Sequence, residues 1–237
     1  MIEKTYCHNQ EWEVDFEEVA PGIYVYHNAI IEELDVVNRI ETGLAKDGTR
    51  FAWKSAYLSY DRQDDESRKC KDFKIKNDGM LGPRDDDSED FCLLYEQFID
   101  IVKICMSHYL QKHSLNYIDY YECINIVRYG KGEFFKVHTD DGEAYRCTVS
   151  VVGYPNDDYE GGELTFPKFD LTYKPKAGDV VLFPSSFIYE HSAEPVTDDG
   201  FKYSLVLMTD RNEFAHRNES PTYHPKDVTN KYGTKRA

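Results

Sequence analysis

Three side chains in the second half of the chain could hold one divalent metal ion. His138 and Asp140 stand two residues apart in His138-Thr139-Asp140, at the end of an apparent strand. Strand residues i and i+2 point to the same side, so an imidazole and a carboxylate can converge there. His191 is the best candidate for a third donor: it ends the run Phe187-Ile188-Tyr189-Glu190 and precedes the turn-like residues 192–195. Two imidazoles and one carboxylate occupy one face of an octahedron and leave three positions open, the donor arrangement of non-haem Fe(II) oxygenases. Asp141 follows Asp140 directly, so a one-residue shift would present the other carboxylate; the same-face rule selects Asp140. A lone His-x-Asp pair can equally be a hydrogen-bonded strand end, and its neighbours give it weight. Lys202 lies eleven residues beyond His191 and opens the strand Tyr203-Ser204-Leu205-Val206-Leu207-Met208. An inward-facing ammonium near a barrel rim needs an anion, because a buried unpaired charge is costly. A dicarboxylic cosubstrate would supply one.

Strands and turns must deliver these groups. From residue 120 to about 210 the candidate strands are 121–129, 134–139, 146–154, 163–166, 171–174, 179–183, 186–191 and 202–209. Turn material separates them at 130–132, 140–142, 155–162 and 175–178. Eight short strands at this spacing predict a double-sheet jelly roll. Upstream, Pro21-Gly22 introduces the strand Ile23-Tyr24-Val25-Tyr26-His27. A helix follows with Leu34, Val37, Ile40 and Leu44 on one stripe and Gly43 near its end, and residues 51–60 read as extended again. The strongest helix carries Phe91, Leu94, Tyr95, Phe98, Ile101, Val102, Cys105, Met106 and Tyr109 at three- and four-residue steps. Acids cluster at its front, where the helix dipole favours them, and the helix should cover one face of a sheet.

Between them, residues 61–90 hold eleven acids, seven bases and few apolar anchors. This reads as a solvated excursion: either plain wet surface or, over 61–83, a flap that closes on the site. The expectation is one domain, 1–237, mostly β with supporting helices (α+β). It divides into a strand-and-helix support at 1–119, a catalytic core at 120–210 and a polar extension at 211–237, the last a clamp or a loose tail.

Longer motifs carry a resemblance. The run Ile126-Val127-Arg128-Tyr129-Gly130-Lys131-Gly132-Glu133-Phe134-Phe135-Lys136-Val137-His138-Thr139-Asp140 resembles the first metal motif of the prolyl 4-hydroxylase branch of the 2-oxoglutarate/Fe(II) dioxygenases. So do Glu160-Gly161-Gly162-Glu163-Leu164-Thr165-Phe166-Pro167 and Lys176-Ala177-Gly178-Asp179-Val180-Val181-Leu182-Phe183-Pro184, with His191 and Lys202 in a similar frame. The resemblance implies a double-stranded β-helix core with N-terminal helices packed on one sheet. It implies that His138, Asp140 and His191 bind Fe(II) and that Lys202 pairs with the distal carboxylate of 2-oxoglutarate. Dioxygen would be the co-oxidant and ascorbate a supporting reductant. Tyr129 would hydrogen-bond the cosubstrate or simply pack. Ser204, two residues past Lys202, would donate a hydroxyl or be plain strand polarity. Arg146 matches a position that faces substrate in peptide hydroxylases, or else braces a loop.

The implied reaction is hydroxylation of an unactivated C–H bond, with peptidyl proline at C4 as substrate, or a free amino acid or other small molecule. Acids at Asp141, Glu143, Asp157, Asp158 and Glu160 would favour a peptide with basic flanks, or serve only solubility. A binding protein that kept the pocket without catalysis is the other class. Two departures stand out. Tyr154-Pro155-Asn156 stands where the family commonly has Tyr-Leu-Asn, with one extra residue between Arg146 and Asn156, which weakens any role for Thr148 or Ser150 in the pocket. The step from His191 to Lys202 is one residue longer than usual, which the turn Asp198-Asp199-Gly200 absorbs.

Composition narrows the field. Over 237 residues, 44 acids against 28 bases leave a net charge of −16, which disfavours a phosphate-tracking surface and makes nucleic acid an unlikely partner. No apolar stretch approaches a bilayer span, and the first residues lack the basic-then-apolar pattern of a secretion signal. The six cysteines include no Cys-x-x-Cys pair and sit largely in apolar runs, as small buried hydrophobes of a reducing, cytoplasmic compartment. Gly161-Gly162 lacks the flanking glycine, strand and helix of a dinucleotide site and reads as a tight hairpin.

Overall fold

In the central strands almost every residue is buried, because both faces are covered. Val149, Val151, Val180, Leu182, Leu205 and Leu207 turn to one face and join Phe98, Val102 and Tyr109 of a long helix. Val152, Val181, Phe183 and Ile23 turn to the other and meet Leu164 and Phe166 of a second sheet. Two apolar faces per strand make a layered structure of helix, sheet and sheet.

The computed structural model describes residues 1–44, 51–57, 64–75, 89–115, 117–141 and 147–211. In chain order these form β1 (Ile2–Cys7), β2 (Gln10–Ala20), β3 (Ile23–Tyr26), α1 (Val36–Leu44), β4 (Lys54–Ser55), β5 (Arg68–Lys69), β6 (Lys71–Ile75) and α2 (Glu89–Lys112). There follow β7 (Tyr120–Tyr121), β8 (Ile124–Tyr129), β9 (Phe134–His138), β10 (Val149–Gly153), β11 (Leu164–Phe166), β12 (Leu171–Tyr173), β13 (Val180–Pro184), β14 (His191–Ala193) and β15 (Lys202–Asp210). The larger sheet runs β1-β2-β3-β13-β10-β15-β8-β6-β4, with β7 also on β15; the smaller runs β12-β11-β14-β9-β5. Every strand pair within them is antiparallel. The expected mostly β architecture is present as two facing sheets, which among the described residues do not close into a barrel.

α2 lies where its apolar stripe requires, against the larger sheet. Glu89 and Asp90 occupy its first turn and Lys112 its last, complementing the dipole. Its approach to β10 is close: a Cβ on Gly153 would stand 2.7 Å from the Phe98 ring, so only glycine fits there. α1 begins at Val36, and Leu34 falls in a short 3-10 turn before it.

Two segments differ from expectation. Residues 186–191 do not form a strand. Phe187–Tyr189 is a 3-10 turn closed by the Tyr189 N–H donating to Ser186 O at 2.8 Å, and the strand starts at His191. The apolar run looks strand-like, yet Phe187 is 70% exposed and Ile188 47% exposed, so it buries no face. Within the charged stretch 61–90, residues 68–69 pair with β9 and residues 71–75 pair with β8, and Phe73 and Ile75 are buried. Residues 64–75 therefore bridge the two sheets, while 61–63 and 76–88 lie outside the described residues. The closing motion expected of 61–83 falls partly on that outside portion, and the C-terminal extension beyond Arg211 lies outside as well. The hairpin of β1 and β2, which the residue pattern did not announce, turns at His8 and Asn9 with φ of 52° and 62° and adds two strands to the sheet edge.

Candidate metal centre

The β9–β14 ladder puts the two histidines side by side. His138 ends β9, His191 opens β14, and the two are direct partners across the pair. Their ring centroids are 4.4 Å apart. Asp140, two residues past the end of β9, reaches back between them: its carboxylate oxygens lie 3.6 Å from His138 Nε2 and 3.7 Å from His191 Nε2. The three donor atoms all fall within 4.8 Å of one another.

Backbone carbonyls fix the imidazoles in the ligand form. His138 Nδ1 donates to Lys136 O at 2.8 Å and His191 Nδ1 donates to Tyr189 O at 3.1 Å. A carbonyl only accepts, so each Nδ1 carries the proton and each Nε2 keeps a lone pair for a metal. Burial, then the neighbouring His191, push His138 down to about 3, so its ring stays neutral. Phe135 stacks on His138 with centroids 3.5 Å apart, and the Arg68 guanidinium lies 4.7 Å from the centre of the Phe135 ring. Asp141 is used elsewhere: its carboxylate accepts from Cys147 N–H at 3.1 Å, and its own N–H donates to Ser185 O at 3.0 Å. The carboxylate of the centre is therefore that of Asp140. Two imidazoles and a carboxylate grouped in this way fit one face of a six-coordinate Fe(II) ion.

The second part of the site lies along β8 and β15. Lys202 and Tyr129 are direct partners across that pair, and Ser204 is buried two residues on, opposite Val127. Lys202 is 1% exposed. Its Nζ donates to Gly162 O at 2.7 Å, its one hydrogen bond among the described residues. The ammonium stands 5.2 Å from the ring centres of both Tyr129 and Tyr154. Burial first, then Lys174, push Lys202 down to about 7. Burial raises the Tyr129 phenol well above its ordinary value, with the Cys70 thiol beside its hydroxyl, so it remains a donor. A buried ammonium with one neutral acceptor fits a carboxylate ligand.

All the expected site residues but one are in view; Arg146 lies outside the described residues. The structure adds others. Tyr154, one residue past the end of β10, continues the alternation Ser150, Val152, Tyr154 and is buried. Lys174 and Tyr159 reach Lys202 through a long-range fold of the chain that no local spacing signals. Ser150 hydrogen-bonds Ser185 at 2.8 Å in a buried cluster with Cys147.

Residues 124–209 match the family model of the 2OG-Fe(II) oxygenase superfamily. A PKHD-type hydroxylase of Rippkaea orientalis is 34% identical over 102 residues, covering 37% of this chain and 45% of that protein. Another, of Crocosphaera subtropica, is 31% identical over 105 residues, covering 38% of this chain and 46% of that protein. The chain thus spans just under half the length of the curated relatives it matches. Among solved structures, a prolyl hydroxylase from Trichoplax adhaerens, in complex with a hypoxia inducible factor peptide fragment, superposes with a TM-score of 0.59 at 18% identity, over 81% of this chain and 84% of that one. A Pseudomonas putida prolyl-4-hydroxylase gives 0.56 at 17% identity, over 81% and 93%. These structural likenesses speak to the fold. The segment that is similar to the 2OG-Fe(II) oxygenase superfamily, residues 124–209, is also the one that brings His138, Asp140 and His191 together.

Proposed function

We propose that the protein is an Fe(II)- and 2-oxoglutarate-dependent dioxygenase that hydroxylates an unactivated C–H bond, with C4 of a prolyl residue in a peptide as its substrate position. The observation that carries this reading is the pairing of a His138–Asp140–His191 centre with a buried, anion-seeking Lys202 on the facing sheet. His138, Asp140 and His191 would hold the iron, and Lys202 and Tyr129 would hold the cosubstrate. When bound, these groups supply the oxidising power: 2-oxoglutarate is decarboxylated to succinate and carbon dioxide while one oxygen atom of dioxygen passes to the substrate carbon. The chain's own part is to orient the ligands, exclude water and choose the substrate. Exposed Val137, next to His138, and exposed Phe187 and Ile188, just before His191, offer apolar contact suited to a pyrrolidine ring. Arg146 would meet the substrate's peptide or flanking groups. The solved peptide complex of a prolyl hydroxylase of like fold supports a peptide as substrate class. Five of the six cysteines are buried, which suits the reducing cytoplasm. Among the described residues no helix is long and apolar enough to cross a membrane.

The test is incubation with Fe(II), 2-oxoglutarate, ascorbate and air on a panel of proline-rich peptides and free proline, with products mapped by mass spectrometry and succinate quantified alongside. A one-oxygen gain on peptidyl proline is the expected result. A gain on free proline alone moves the assignment to a small-molecule hydroxylase, and succinate without any modified panel member removes the prolyl substrate.

A further inference from the structure

Tyr159 is 3% exposed, and its hydroxyl has no hydrogen-bond partner among the described residues. A buried phenol normally finds one, because an unpaired buried hydroxyl loses its water and gains nothing in return. Its surroundings say what is missing. Tyr159 packs with Val127, Tyr129, Val196, Ala56 and Cys70 in the cluster between the two sheets, on the side of the site where Tyr129 and Lys202 lie. It also closes over Gly162 together with Lys202: a Cβ on Gly162 would stand 2.9 Å from Tyr159 Cε2 and 3.0 Å from Lys202 Cδ. Lys174 pins it from outside. The Lys174 ammonium sits 4.2 Å from the centre of the Tyr159 ring and donates to the carbonyls of Tyr159 and Gly161, the two residues flanking Glu160. The ring is thereby held against the Lys202 side chain with its hydroxyl buried.

We propose that Tyr159 Oη is a second hydrogen-bond donor, beside Lys202 Nζ, to the distal carboxylate of the cosubstrate, a role that rests on the reading of the site given above. Lys202 supplies the charge and the phenol supplies direction. Burial keeps the phenol protonated, so it can only donate to an anion. Lys174 acts through Tyr159 and the 159–162 turn as a positioning residue.

Two binding measurements and one stability measurement test this. Anaerobic Fe(II)-loaded protein is titrated with 2-oxoglutarate and with 2-oxobutyrate, which keeps the metal-chelating end and lacks the distal carboxylate; charge-transfer absorbance reports binding. Tyr159→Phe should weaken 2-oxoglutarate roughly ten- to hundredfold, the span of a hydrogen bond to a charged group, and leave 2-oxobutyrate unchanged. The same variant should raise the thermal midpoint of the ligand-free protein, since it deletes an unpaired hydroxyl. Unchanged 2-oxoglutarate affinity in Tyr159→Phe, with Lys202→Met strongly weakened, would overturn the role of Tyr159 and leave the cosubstrate site standing. Equal weakening of both ligands, or a lowered midpoint of the free variant, would also overturn it, the latter because the hydroxyl would then be satisfied without ligand. Failure of the wild-type protein to bind 2-oxoglutarate with iron in place would remove the underlying reading itself.

Discussion

Adjacent carboxylates at Asp140 and Asp141 differ in role because their chain neighbours differ. Asp140 points at two imidazole nitrogens, whereas Asp141 accepts from the N–H of Cys147. Asp140→Ala should therefore cut Fe(II) affinity by more than the roughly tenfold to hundredfold typical of losing an outer-shell partner. Asp141→Asn should leave iron binding within about twofold, since an amide oxygen still accepts from that N–H. Calorimetric titration of the two variants distinguishes them. Lys202 yields a pH signature. Its value of about 7, against an ordinary 10.5, means that between those two pH values the unfolded chain binds the proton and the folded chain does not. Stability of the free protein therefore rises as pH increases from about 7 towards 10.5. Cosubstrate affinity runs the other way: a dianion needs the ammonium, so binding weakens above about pH 7 and takes up a proton. Lys202→Met should flatten that profile, and calorimetry in buffers of different ionisation heat reads the proton directly. At this scale the triad and Lys202 were legible, because each rests on local spacing plus one strand register. Tyr159 and Lys174 were not, because the glycine turn that carries them to Lys202 is visible only once folded.

Among the elements, the turn at residues 159–162 links the two halves of the site. Gly161 and Gly162 have φ of 73° and 68°, and a Cβ on Gly161 would come 2.3 Å from Pro195 O. Gly161→Ala meets both the left-handed strain and a backbone clash that cannot swing away. It should cost about 2 kcal/mol or more, lowering the thermal midpoint by about 4–8 °C on the scale of a chain this size, and should loosen 2-oxoglutarate binding through the Gly162 carbonyl. Differential scanning calorimetry with and without cosubstrate checks both. The long helix was legible from its stripe, and the central strands from their apolar runs. Residues 186–191 depart from the strand that their sequence suggests because an apolar run signals a strand only when it buries a face, and Phe187 does not. The first hairpin escaped notice because cross-strand charge, such as Lys4 to Glu11 at 2.6 Å, does much of what apolar alternation does elsewhere.

For the molecule as a whole, the two sheets stand as opposite jaws: β9 and β14 carry His138 and His191 of the candidate metal centre, and β8 and β15 carry Tyr129 and Lys202 of the proposed anion site. Residues 64–75 tie the jaws together through β5 on one sheet and β6 on the other. Their charge masks this in the sequence, since only Cys70, Phe73 and Ile75 are buried among nine polar neighbours. Amides of residues 71–75 should accordingly exchange slowly in the ligand-free protein, at rates close to those of β8, by hydrogen-exchange mass spectrometry. Fast exchange there without ligand would make the segment a closing element and not a fixed strap. The acidic surface bears on partners and not on the fold, in keeping with a net charge of −16. The proposed reaction joins iron, 2-oxoglutarate and dioxygen at this two-jawed site. Turnover under oxygen-18 gas, with succinate analysed by mass spectrometry, tests it most directly. The account predicts one labelled oxygen in succinate from the wild-type protein and no succinate from Asp140→Ala. Unlabelled succinate, or none from iron-loaded wild type across the peptide panel, would contradict it.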